Sequence, residues 1–222
     1  MVRIKVSEGD DQKCFEVHKG VISFYSGYFE RALKGSFIEA QKGEVTLPTE
    51  DPAVFDLFQY WLYTKRFLPD MTAEEPGELD WNVLCGLWVF GDAHEIPLLQ
   101  NTVADKLVEK MINTDIVPIN EITFIYDDTT EGSQLRALVI DLIGKTGDSA
   151  HIVASKYMLY WSKESTFDLL KVVWKSKAQP LTNGEVKKWD SANTMCMRRA
   201  QGTTAMRDAP LSSGVGCLPG MW

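Results

Sequence analysis

The sequence is sparing with the residues that usually mark catalysis, metal binding or secretion, and each shortage excludes something. Four cysteines in 222 residues, Cys14, Cys85, Cys196 and Cys217, stand far apart and form no Cys-x-x-Cys pair. That usage fits reduced thiols and excludes a disulfide framework. Cys14 and His18 have no second Cys/His pair at zinc-site spacing. No run of apolar residues approaches the ~18 that span a bilayer. The opening MVRIKVSEGDD lacks the apolar stretch of a secretory signal, and no Asn-x-Ser/Thr acceptor is present. These shortages place the chain in the cytoplasm and/or nucleus, away from membranes.

Positive charge is also short, with 23 Lys and Arg against 31 Asp and Glu, a net of −8. Nucleic-acid binding depends on basic clusters that release counterions, so a nucleic acid is not the expected partner. Residues 177–222 differ: six basic against three acidic residues give +3, so residues 1–176 carry −11. Arg198-Arg199 in that stretch is too small a pair to read as a targeting patch. Nucleotide and hydrolase signatures are absent: there is no GxSxG, GxxxxGK[ST] or GxGxxG after a strand. His94-Glu95 lacks the second histidine of HExxH, and Asp127-Asp128 with Glu131 offers too few regularly spaced oxygens for calcium. No enzyme and no cofactor is expected.

What is present is patterning. Val2, Ile4 and Val6 alternate with Arg3 and Lys5, a half-buried strand. Gly9-Asp10-Asp11 turns the chain into a second strand around Phe15 and Val17, and Glu44 to Leu47 makes a third. Between them the spacing turns helical at Val21-Ile22 and again, capped by Ser26, through Tyr28, Phe29 and Leu33. Gly35 fits the left-handed position beyond that helix. Asp51-Pro52 starts a helix carrying Phe55, Phe58, Trp61 and Leu62. Further helices follow near Asp80, from Ile96 to Ile112, around Ile119–Tyr126, after Ser133, and after the capping-box pattern Ser165-Thr-Phe-Asp168. Trp61, Trp88, Trp161 and Trp174 all sit in helical patterns and are expected in the core. Periodicity stops near Lys177, and residues 177–222 are expected to be disordered. No repeat of fixed period is visible.

Residues 15–67 carry a specific succession: Phe-x-Val-His-Lys closing a strand, an apolar-apolar-Ser step, Ser-x-Tyr-Phe, Phe-x-Glu-Ala, Val-x-Leu, and a Phe-rich helix ending Trp-Leu-Tyr-Thr. This stretch resembles the BTB/POZ domain, and residues 79–112 look like that family's closing helical pair. The continuation through 98-LLQNTVADKL-107, Ile125-Tyr126 and 133-SQLRALVIDL-142 is similar to the helical extension of fungal BTB proteins. The resemblance implies an α+β fold, a small three-stranded sheet packed with helices, with a BTB/POZ domain over 1–112 and an all-helical extension over 113–176. Two departures stand out. Many family members carry an Asp before the first strand as a partner for the Lys of His-Lys, where this chain has Met1. The N-terminal helix and strand that build the family's swapped homodimer are also not seen before Val2, which puts a homodimer in question.

Cullin-recruiting relatives often carry an apolar-x-Glu motif after the second core helix, and Phe37-Ile38-Glu39 stands at the matching place. An exposed aromatic could anchor in a partner's pocket while the carboxylate fixes orientation. In the alternative reading, Phe37 folds back onto the core and Glu39 is merely solvated. His18 ends a strand and is expected to satisfy a buried hydrogen bond. The implied function is a protein–protein interaction module, an adaptor that binds a cullin through Phe37, Ile38, Glu39, Tyr63 and Thr64 and presents a substrate for ubiquitination. The rival expectation is a self-associating or hetero-oligomeric scaffold in a transcriptional or chromatin complex that binds no cullin.

Overall fold

A computed structural model describes residues 1–67, 79–146 and 154–177, with side chains through Gly144 and up to Lys175. The chain divides into two compact units, Met1–Ser176 and Lys177–Trp222. The fold described is that of the first. The disorder expected for 177–222 lies, apart from Lys177, outside the described residues.

The alternation at the N-terminus produces the strand it predicts. In β1 (Val2–Val6), Val2, Ile4 and Val6 are buried while Arg3 and Lys5 face outward. β2 (Lys13–Val17) returns antiparallel after a 3-10 turn at Gly9–Asp11, setting Ile4 opposite Phe15. β3 (Glu44–Leu47) pairs parallel on the other edge of β1, so the order is β2-β1-β3. A parallel partner needs a long crossover, and residues 18–43 supply it as helices. Arg3 and Lys5 converge on Glu44, whose carboxylate lies 2.7 Å from Lys5 Nζ.

Three short helices make that crossover: α1 (Lys19–Tyr25), α2 (Gly27–Leu33) and α3 (Ile38–Lys42). Ser26 caps α2 as expected, its hydroxyl accepting from the Phe29 N–H at 3.0 Å. Gly35 (φ 90°) and Gly43 (φ 63°) occupy left-handed turns where a side chain would be strained. α4 (Pro52–Thr64) starts where Asp51 accepts from the Ala53 N–H at 2.7 Å. α5 (Trp81–Ala93) and α6 (Pro97–Thr114) form an extensively packed pair. The extension follows as α7 (Ile122–Asp127), led in by a 3-10 turn, then α8 (Gln134–Thr146) and α9 (Lys163–Lys177). The core is aromatic at its centre, where the Phe58 and Phe90 rings lie 4.9 Å apart and Phe55 stands edge-on to both.

Two expectations about side chains change. Trp61 and Trp88 are buried and Trp161 is partly buried, but Trp174 is 79% exposed. Its helix is apolar on two sides: Leu169 and Val172 pack inward beside Gly144, leaving Trp174 on the outer side. The capping box also sits one turn earlier than expected. Ser162 and Ser165 exchange it, each backbone N–H donating to the other's hydroxyl at 2.9 and 3.1 Å. Asp168 instead accepts from the Tyr126 hydroxyl at 2.9 Å.

Candidate partner-binding surface

The stretch from Lys34 to Gly43 is short and tightly turned, which decides where its apolar side chains go. A five-residue helix such as α3 has no independent stability, so its ends are pinned locally. Gln41 donates from Nε2 to the Ser36 carbonyl at 2.9 Å, and Gly43 closes the last turn. Phe37 stands at the N-cap in extended conformation and is 62% exposed; Ile38 beside it is 58% exposed. The reading in which Phe37 folds back onto the core does not hold. Glu39 is partly buried near Tyr28. Burial first, and then the carboxylates of Glu39 and Glu50, push the Tyr28 hydroxyl pKa upward.

Tyr63 and Thr64 fall in another neighbourhood, at the end of α4 against α1. The Tyr63 hydroxyl accepts from the His18 backbone N–H at 3.0 Å and lies 3.0 Å from His18 Nδ1. His18 is exposed, so the expected buried hydrogen bond is instead a surface pairing. It ties the end of β2 to the end of α4. Thr64 is committed to finishing the helix: its hydroxyl donates to the Tyr60 carbonyl at 2.8 Å and accepts from the Arg66 N–H at 3.1 Å. Its methyl and the Tyr63 ring are what remain for a partner.

Sequence reasoning missed Phe24, which is 80% exposed and lines an open groove of about 470 Å³ with Val21, Tyr25, Leu62, Tyr63 and Lys65. The signal was available. Ile22 faces inward on α1, and a residue two positions on lies roughly 200° around the helix, on the opposite side. Lys65 flanks this groove, its ammonium 3.6 Å above the Tyr25 ring.

The conspicuous pair His94-Glu95 is structural. His94 is buried and stacks on Phe90 with ring centroids 4.1 Å apart, its Nδ1 2.9 Å from the Phe90 carbonyl. Its Nε2 lies 3.8 Å from Glu50, too far for a hydrogen bond. Burial holds the imidazole pKa below its ordinary value, the Phe90 carbonyl opposing in part, so the ring is neutral and Glu50 is a neighbour rather than an ion partner. Glu95 takes a left-handed φ of 54° and receives two bonds from Arg31, at 2.7 and 2.5 Å. With Ser26 donating to the His94 carbonyl at 2.6 Å, this clasp locks α2 onto the α5–α6 turn.

Among the described residues no three His, Cys, Asp or Glu side chains are grouped to hold a metal, and no helix is long and apolar enough to cross a membrane. The small sheet with its helical crossover, presenting apolar side chains to solvent from short, well-anchored helices, defines a protein–protein interaction module. Residues 2–76, from β1 through α4, match the family model of the BTB/POZ domain, so the chain carries a BTB/POZ domain over that stretch. The matched region contains Phe37, Ile38, Glu39, Tyr63 and Thr64. No curated protein matches the chain.

Proposed function

We propose that this protein is a substrate adaptor whose BTB/POZ core, residues 1–112, holds a cullin, while the helical extension, residues 113–176, presents a substrate for ubiquitination. The observation that carries this reading is the solvent-directed Phe37-Ile38 pair on a short helix of a BTB/POZ domain. Two adjacent apolar side chains held outward are suited to a partner's pocket, and the nearby Glu39 supplies a carboxylate to set orientation. Tyr63 and the Thr64 methyl would extend the contact. The chain makes and breaks no bond; it acts by proximity, raising the effective concentration of substrate near the ligase.

The test is co-purification with a cullin. Phe37→Ala combined with Glu39→Ala should abolish cullin capture and shift the melting temperature by no more than a degree or two, because Phe37 is exposed. Undiminished capture by the double variant would remove Phe37 and Glu39 from the interface. A wild-type protein that self-associates and captures no cullin would favour a scaffold in a transcriptional or chromatin complex.

A further inference from the structure

A cleft of about 680 Å³ opens where the closing helices of the core meet the extension, between the α5–α6 pair and the loop from α7 to α8. Its size is that of clefts that take a small molecule or a short piece of chain. Gly132, at φ 84°, lets the loop turn tightly, and the Ser133 N–H donates to the Thr130 carbonyl at 3.1 Å across that turn. Asp92 and Glu131 are both exposed at the cleft, and of the described residues lining it these two alone are charged. Asp92 accepts a neutral bond from Gln100 Nε2 at 3.0 Å, and among the described residues neither carboxylate pairs with a lysine or arginine. Trp88 also lines the cleft while only 4% exposed, and its indole N–H has no hydrogen-bond partner among the described residues. The same group is sealed from solvent in Trp61 and Trp161, whereas that of Trp88 is neither bonded nor sealed.

We infer that this cleft binds a cationic peptide segment of a partner protein, with an arginine or lysine side chain held by Asp92 and Glu131. The charges and donors of the lining select the occupant. Two carboxylates without a counter-charge attract a cation and repel nucleotides, nucleic acid and acidic peptides. A bare cation or a polyamine would answer the carboxylates but leave the Trp88 N–H without an acceptor. A peptide supplies both partners: its side-chain cation meets the carboxylates, and its backbone carbonyls accept from Trp88 and from the exposed carboxamides of Asn101 and Gln134. Trp88 and Leu138 add apolar surface for the aliphatic stem of the bound side chain. The cleft shares no residue with the surface around Phe37 and Tyr63. In the adaptor reading the occupant is the substrate, and that assignment alone rests on the proposed function.

Fluorescence anisotropy of labelled peptides tests this on the full chain. A peptide of alternating arginine and glycine should bind saturably in the micromolar range at low salt, and one of alternating glutamate and glycine should not bind. Asp92→Asn combined with Glu131→Gln should weaken the arginine peptide by about tenfold or more. Asp10→Asn with Asp11→Asn removes the same charge at the exposed β1–β2 turn and should change binding by less than about twofold, because exposed charges are screened beyond about 10 Å. Asn101→Arg, at an exposed lining position, puts a cation of the chain's own in the cleft and should also abolish binding. Circular dichroism melting within a few degrees of wild type would show that all these variants are folded. Absence of saturable binding by the wild type up to about 1 mM overturns the inference. Equal weakening by the cleft pair and the turn pair overturns it as well, since the peptide would then answer only to net charge. Cullin capture is a separate measurement: a cleft pair that loses it would assign the cleft to the cullin and overturn the inference. Phe37→Ala with Glu39→Ala should leave peptide binding intact, so either reading can fail without the other.

Discussion

His94 shows how one residue's environment becomes a property of the whole protein. Burial holds its pKa below 6.5, so near pH 6 the folded state binds fewer protons than the unfolded chain. Stability should therefore be fully present above about pH 6.5 and fall as the pH drops through that value toward the folded pKa. Glu50 has the opposite sense: burial and the Asp128 charge raise its pKa, so its contribution favours the fold at low pH and fades as the pH rises. The carboxylates held low by partners, Glu30, Glu44, Glu95 and Asp168, act below about pH 4.5. Between pH 7 and 5.5 a fall in stability on acidification therefore has the sign of His94, whereas Glu50 and Glu121, both raised by burial, have the reverse sign. Urea midpoints should decline across that range in the wild type, and His94→Phe, which keeps a ring stacked on Phe90, should flatten the decline. An equal decline in that variant would place the titrating group elsewhere. Cys85 gives a second test at this scale. Burial, assisted by Glu121, pushes its thiol up to about 12, so a thiol reagent should label the exposed Cys14 in the native protein and reach Cys85 only on unfolding.

At the scale of elements, the helices and strands were legible where period and caps agreed. Val2, Ile4 and Val6 announce β1, Ser26 and Asp51 cap the helices that follow them, and Glu44–Leu47 is the strand that its alternation predicts. Legibility failed where one signal had two solutions. Ser165 and Asp168 fit a capping box, but Ser162 fits one with Ser165, and the chain uses the earlier pair. Trp174 fits a helical stripe, but α9 carries two stripes and only packing against α8 decides which is buried. For the partner surface, the order of motifs located Phe37-Ile38-Glu39, while their exposure depends on local turns that periodicity does not encode. Ser26 joins two elements and is the sharpest test of that anchoring. Its hydroxyl caps α2 and donates to the His94 carbonyl, so Ser26→Ala removes both bonds from a buried site. The expected loss is about 1–3 kcal/mol in urea unfolding, and a loss near zero would mean that the α2 cap is dispensable.

At the scale of the molecule, the question is whether the helices after α6 form a separable body or share the fold of the core. Ile119, Ile122, Ile125, Leu135, Val139 and Ile143 belong to the same buried cluster as Leu99, Val103 and Leu107, so no layer of solvent divides them. Arg136 then ties the extension together. Only 6% exposed, it donates through Nε to the Thr129 hydroxyl at 2.8 Å and through its terminal nitrogens to Glu164 at 2.7 Å and the Tyr126 carbonyl at 2.8 Å. Its guanidinium also lies 4.4 Å from the Tyr126 ring centre. One side chain therefore joins α7, the loop after it, α8 and α9. Glu164 is half exposed, so solvent screens that pair and the bonds to the loop carry more of the effect. Arg136→Met keeps the aliphatic stem and removes every one of these bonds, at an expected cost of about 2–4 kcal/mol. With a continuous core, that loss should lower one cooperative melting transition by roughly 5–15 °C. Far-ultraviolet circular dichroism and tryptophan fluorescence should move together, because Trp61 and Trp88 in the core and Trp161 beside α9 would report the same event. Two separated transitions, with the Trp61 and Trp88 environment melting at the wild-type temperature, would show instead that the extension unfolds alone and that its coupling to the BTB/POZ core is weaker than the shared cluster implies.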